Sequence, residues 1–182
     1  MKIWKLRIEV DEYDSLVPLK AWSWERIHTF DGRSQINTWS PIEVTRLEPE
    51  KKLKLSDAPG FYSHIPIFGE KAKKFLEYVC GGAVEFLPVI NEEKIFWIVN
   101  IVRVLDCIEY EKSEYKKFPN SRKVMRFKKY YFKPEIISNE HIFKIKDMPL
   151  SAPFVSDEFK KVVEENNLTG FKFELVWDSE ED

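Results

Sequence analysis

The chain has 182 residues, of which 43% are hydrophobic, 33% charged and 15% aromatic. With a mean hydropathy of −0.40, this is the composition of a folded soluble chain and excludes a disordered one. Lys and Arg number 29 against 31 Asp and Glu, which excludes a basic nucleic-acid footprint spread over the whole molecule.

A chain of this length buries roughly 70% of its unfolded surface, so one α+β domain spanning 1–182 is expected without a disulfide or metal staple. The two cysteines, Cys80 and Cys107, have no paired spacing. They suit thiols kept reduced in the cytoplasm rather than a disulfide framework or a zinc ribbon. The opening MKIWKLRIEV alternates charge and apolar residues and lacks the continuous apolar stretch of a signal peptide. The most apolar segment, 95–108, is interrupted by Asn100, Arg103 and Asp106 and falls short of the roughly 20 residues that cross a bilayer. The expectation is an intracellular soluble protein.

In chain order, Trp4, Leu6, Ile8 and Val10 alternate with Lys5, Arg7 and Glu9, the period of a half-buried strand. Residues 1–54 otherwise read as an irregular part of short strands and loops, punctuated by Pro18, Pro41, Pro49 and Asp31-Gly32. Ala72, Phe75, Leu76 and Val79 fall at helical spacing and predict a helix over 69–80, stopped by Gly81-Gly82 and followed by a strand at Val84–Val89. Segment 95–108 favours a long buried strand, with a helix as the open alternative. Met125–Phe132 and His141–Lys146 read as two more strands. Ser156 is a good N-cap for a second helix over 157–167, followed by Thr169-Gly170 as its stop and a strand at Phe171–Trp177. Residues 178–182 form an acidic, frayed tail. The fold class is therefore α+β: mostly antiparallel sheet with two principal helices, each in a strand–helix–strand unit. Laid over each other without gaps, 65–89 and 152–176 share Pro66/Pro153, Lys73/Lys160, Lys74/Lys161, Glu77/Glu164, Phe86/Phe173 and Val89/Val176.

Chemistry is sparse. His28, His64 and His141 have no metal-ligand spacing, and no phosphate-cradling glycine loop or nucleophile elbow occurs. Cys80 sits just before Gly81-Gly82 at a helix end, where the dipole disfavours thiolate, and Cys107, in the apolar run, reads as an inert buried thiol. No catalytic residue, metal or cofactor is expected. One local charge feature stands out: between Lys112 and Lys133, cations dominate and alternate with Tyr115, Phe118, Phe127, Tyr130, Tyr131 and Phe132. Lys123, Arg126, Lys128 and Lys129 would carry a nucleic-acid-binding role, since basic residues track phosphates while rings stack bases. The favoured alternative is a hairpin with its aromatic face inward and a solvated lysine face outward.

Three stretches carry a family resemblance. They are Leu55-Ser56-Asp57-Ala58-Pro59 leading into the 68–76 helix and Glu85–Val89; Asn100 with Leu105–Glu109 and Ser113; and Ile142–Ile145 with Val155–Lys160 and Thr169–Phe173. Over about residues 55–177 the chain resembles an immunity-protein family of bacterial polymorphic toxin systems. It departs from the family pattern at Glu109, where Asp is usual, and at Gly69, where a capping Ser is usual. The resemblance implies a non-enzymatic cytoplasmic binder of a cognate protein toxin, with no cofactor, and motifs that are fold signatures rather than contact residues. Interface hot spots favour Trp and Arg. Trp22, Trp24, Arg33 and Trp39 are thus the candidate partner contacts.

Overall fold

The structure is a computed structural model that describes residues 1–181. Its elements run β1 (Lys2–Ile8), β2 (Leu16–Pro18), α1 (Trp24–His28), β3 (Ile42–Arg46), β4 (Ile67–Gly69), α2 (Glu70–Cys80), β5 (Val84–Ile90) and β6 (Phe96–Ile101). There follow β7 (Val104–Leu105), β8 (Glu114–Lys117), β9 (Val124–Lys129), α3 (Pro134–Ile137), β10 (Ile142–Ile145), β11 (Phe154–Ser156), α4 (Asp157–Glu165) and β12 (Phe171–Asp178).

The strands form two five-stranded sheets, ordered β12-β1-β11-β10-β7 and β2-β3-β5-β6-β4, plus a β8-β9 hairpin. The α+β class holds, but the sheets are mixed rather than mostly antiparallel. β7 pairs with β10 in parallel, and so does β3 with β5. Parallel neighbours cannot be joined by a tight turn. Here the crossovers are the long stretches between Leu105 and Ile142 and between Arg46 and Val84, so nothing local in the strands announces the direction of pairing. Two short helices, α1 and α3, join the two long ones that the apolar spacing predicts.

Segment 95–108 is strand, broken at Val102 and Arg103, whose N–H groups both donate to the Ala83 carbonyl at 2.9 and 3.2 Å. The strands around residues 125–132 and 141–146 lie apart: β9 pairs with β8, while β10 pairs with β11 and β7. α4 ends at Glu165, where Asn166 and the left-handed Asn167 turn the chain, before Thr169-Gly170 is reached. Of the acidic tail, Asp178 closes β12 and pairs with Lys2 at 3.3 Å, and Ser179 N–H donates to Met1 O. Residue 182 lies outside the described residues.

The two strand–helix–strand units correspond in detail. β4-α2-β5 straddles β6, and β11-α4-β12 straddles β1, each central strand running antiparallel to both flanking strands. The starts of the three elements in the second unit follow those in the first by the same offset as the ungapped sequence match. Side chains repeat as well. Lys73 pairs with Glu77 and lies over the rings of Phe86 and Trp97, at 5.1 and 5.3 Å. Lys160 pairs with Glu164 and lies over Phe173 and Trp4, at 5.9 and 4.9 Å. The shared lysine, glutamate and phenylalanine positions thus rebuild one interaction in both halves, with Trp97 and Trp4 as equivalents on the central strands.

Both helices bury their apolar faces in one cluster: Ala72, Leu76 and Cys80 meet Phe159 and Val163, one face of the first sheet (Leu6, Ile142, Val155) and one of the second (Phe68, Val99, Ile101). The opposite face of the first sheet, with Phe143, Ile145, Phe154 and Trp177, is covered by Cys107, Ile108, Tyr130, Phe132 and Ile137. A one-residue bulge between β1 and β12 lets Trp177 switch to that side, while Phe171 and Phe173 stay with the helices. The opposite face of the second sheet, with Leu87, Val89, Phe96 and Ile98, is covered by Phe30, Leu55 and Ile65.

The units are joined by a clasp between two of the family-like motifs. Asp57 Oδ2 accepts from the Thr169 N–H at 2.8 Å and its hydroxyl at 2.9 Å. Asp57 N–H donates back to Thr169 Oγ1, and Ala58 N–H donates to Thr169 O. The Gly69 N–H at the start of α2 donates to Asp57 O at 2.8 Å. Gly170 sits at φ +89 with no room for a side chain: a Cβ would lie 2.2 Å from Ser56 Oγ and 2.5 Å from the Ala58 carbonyl. Gly170→Ala is therefore expected to destabilise the fold by about 3 kcal/mol, read from urea denaturation, since left-handed strain adds to backbone overlap. A cost below about 1 kcal/mol contradicts the clasp as described.

Candidate functional site

The cysteines offer no nucleophile. Both are buried, and burial pushes each thiol up to about 12, which keeps it protonated. The histidines lie apart: buried His64 contacts Ile27 O through Nε2 at 3.2 Å, His141 Nδ1 meets Ser156 Oγ at 2.9 Å, and His28 lies against the Trp24 ring. Among the described residues no group of three His, Cys, Asp or Glu side chains is placed to hold a metal ion.

Surface features are richer. Trp22 stacks on both Phe30 and Tyr62, with ring centroids at 5.4 and 5.7 Å, and meets Phe61 and Trp39 edge-on at 5.5 and 6.4 Å. The Arg26 guanidinium lies 5.0 Å from the Trp22 centroid and 5.4 Å from that of Trp39. Trp39 Nε1 donates to Pro88 O at 2.9 Å, so the knot is tied to β5. Ser23 starts α1 by accepting the Arg26 N–H on its hydroxyl, which points Arg26 back over the rings.

Beside this knot opens a groove of about 410 Å³ lined by Pro18, Leu19, Trp22, Arg26, Ile42 and Ile90. Leu19 and Ile90 are 59% and 54% exposed, so the floor is apolar and open to solvent. The groove exists because β3 brings the end of β2 beside the end of β5. Such an apolar patch rimmed by charge is the usual form of an interaction surface.

Three polar anchors hold the loop that carries the knot. Lys144, 1% exposed on β10, donates from Nζ to Phe30 O at 2.5 Å. Asn100 Nδ2 donates to Arg33 O and to Glu85 Oε2, both at 2.9 Å. Glu85 also accepts from the Ser34 hydroxyl and the Gln35 N–H, and these bonds hold its carboxyl below the usual range against the opposing effect of burial. Burial pushes the Lys144 ammonium down to about 8, with the Asp31 charge partly restoring it.

The four sequence-predicted contacts separate. Trp22 and Trp39 come together in the knot and are half-buried; Trp24 is 68% exposed on α1. Arg33 is exposed and paired with Asp31 at 2.7 Å, away from the groove lining. Arg26, Leu19 and Ile90 are the surface residues that the sequence reading missed. Arg26 has a local signal, lying four residues after Trp22 at a capped helix start. Leu19 and Ile90 have none, because only the strand pairing brings them together.

Lys123, Arg126, Lys128 and Lys129 are all exposed on or next to β9. The aromatic side of that hairpin faces inward: Tyr115 meets Tyr110 and Phe127, Phe127 stacks on Tyr130, and Tyr130 is buried with Phe132 and Phe154.

A model of the immunity protein family (Imm11) matches residues 10–178. That match covers nearly the whole chain and sets it among the immunity proteins. The chain belongs to the Imm11 family, and the match extends the resemblance of residues 55–177 through most of the amino-terminal part. No curated protein matches the chain.

Two outcomes follow from this geometry. Trp22→Ala should cost about 3 kcal/mol in urea denaturation, whereas exposed Trp24→Ala should change stability by less than about 0.5 kcal/mol. Lys144 binds a proton more weakly in the fold than in the unfolded chain. Between pH 8 and 10.5 the unfolded state therefore holds a proton that the native state has lost, and stability rises with pH. The gain across that window is about 3 kcal/mol, and Lys144→Met should lack it when the two proteins are compared at each pH.

Proposed function

We propose that this protein, acting as a single domain in the bacterial cytoplasm, binds and neutralises one cognate toxin of a polymorphic toxin system by protein–protein contact, without catalysis. The observation that carries this reading is the family match over residues 10–178. The surface agrees with it. Trp24, Leu19 and Ile90 are apolar and exposed beside Arg26, and such tryptophan and arginine anchors are the residues that dominate protein interfaces. On this reading Trp24 and Arg33 contact the toxin directly, while Trp22 and Trp39 hold the surface rigid.

The alternative, a nucleic-acid-binding module at 112–133, is weakened by the rings of that segment. Tyr115, Phe127 and Tyr130 pack against one another and the core, so they present no stacking platform to bases.

Co-expression with the toxin encoded by the neighbouring gene tests the proposal. Cells carrying both genes should survive, and the two proteins should purify as a stable complex. A toxin that still kills, with no complex surviving purification, overturns it.

A further inference from the structure

The hairpin formed by β8 and β9 carries a charge arrangement that its own fold does not use. Lys116 stands directly opposite Arg126 in the ladder, both exposed, and like charges across a strand pair oppose pairing. Lys117, Lys123 and Lys128 extend the patch. Among the described residues, none of these five cations forms an ion pair. Elsewhere several cations are paired, among them Arg46 with Glu93 and Asp14, Arg103 with Glu140, and Lys172 with Glu9. The hairpin strands carry one anion, Glu114, which stands opposite Lys129 and not opposite these five cations.

Two apolar side chains sit among these cations, Phe118 at the end of β8, 49% exposed, and Met125 on β9, 38% exposed. An apolar centre within a charged rim is the anatomy of a protein–protein interface. Bases, by contrast, would find Tyr115, Phe127 and Tyr130 turned inward, with Phe118 as the exposed ring of the hairpin.

We propose that the outer face of the β8–β9 hairpin docks an acidic surface of the cognate toxin, with Lys116, Lys123, Arg126 and Lys128 supplying the complementary charge and Phe118 and Met125 the apolar centre. This adds a second docking face, in the cover of the other sheet from Trp24 and Arg33, to the protein–protein contact proposed above and rests on that reading. The unpaired cations speed and orient encounter, because complementary charge at a rim acts mainly on association rate and its salt dependence.

The test measures association of the protein with the neighbouring gene's toxin, carried as a catalytically dead variant, over a range of salt. A triple variant, Lys116→Glu, Arg126→Glu and Lys128→Glu, should associate about tenfold more slowly at low salt and converge with the unaltered protein near 1 M salt, where screening is short-ranged. Lys116→Glu alone places opposite charges across the ladder. It should leave the melting temperature unchanged or raised while still slowing association, which separates docking from a folding defect. If the triple variant binds at the same rate with the same salt dependence, the hairpin is not the docking face, although toxin binding itself stands. If the unaltered protein does not bind the toxin at all, the proposed function fails first. If a short DNA duplex or a single-stranded RNA binds the unaltered protein and is lost by the triple variant while toxin association is intact, the patch serves nucleic acid and the proposal is overturned.

Discussion

The clasp between Asp57 and Thr169 is the joint on which the rest of the molecule depends. Each strand–helix–strand unit is complete as a topology but open on one helix face. α2 and α4 close those faces on each other, and the clasp sets their relative position at the start of α2 and the entry to β12. It does so with few atoms: one carboxylate, one hydroxyl and four backbone groups, with Gly170 leaving no gap against Ser56 and Ala58. Asp157 plays a matching part at the other helix. Its carboxylate accepts from Trp4 Nε1 at 2.8 Å and Lys2 N–H at 2.9 Å, binding the start of α4 to the central strand β1. Most of the family-like motifs thus mark places where the two units, or a strand and its cover, are locked together.

Placing both long helices in the shared layer leaves the outer face of each sheet without one. Irregular chain has to cover those faces, and irregular chain brings backbone groups that need partners once buried. The structure meets that need with side chains reaching from the sheets. Lys144 serves Phe30 O, Asn100 serves Arg33 O, and Glu85 serves the Gln35 N–H. Within the cover of the other sheet, Ser113 accepts the Tyr131 N–H and donates to Glu109 O. Burying an ammonium in this way is costly, and a neutral donor would hold Phe30 O more cheaply. The lysine nonetheless spans from β10 to the loop between α1 and β3, and so couples the first sheet to the aromatic knot on the second.

What the sequence discloses divides along the same line. Elements with local periodicity or caps are legible: α2 with Gly81 at φ +50 as its stop, α4 with Ser156 accepting the Phe159 N–H, and β5. Lys144 reads as the solvent-facing position of an alternating strand, Phe143-Lys144-Ile145, because the pattern cannot show that both faces of its sheet are covered. Trp22 and Trp24 are two residues apart and look equivalent, yet one is stacked between rings and the other open to solvent. That difference is set by Tyr62 and Phe61, nearly forty residues away in the chain. The groove is illegible for the same reason. Its apolar walls come from Leu19 and Ile90, which meet only through the parallel pairing of β3 with β5.

The shape of the molecule also explains where its distinctive surface lies. The repeated units spend their shared interaction, a lysine over a phenylalanine and a tryptophan, on internal packing, so the two halves present little difference there. Distinctive surface arises where the halves differ, in what covers each sheet. The cover of one is the aromatic knot with its groove; the cover of the other carries the basic hairpin. Each is anchored to the sheet beneath by buried polar or aromatic contacts, which limits the ordering entropy that a partner has to overcome. A covering segment can change its outward residues while its inward residues keep the fold, because alternation in a strand assigns the two roles to neighbouring positions. In β9, Phe127 packs against the core while Arg126 and Lys128 are exposed, so those two positions can change without disturbing what holds the fold.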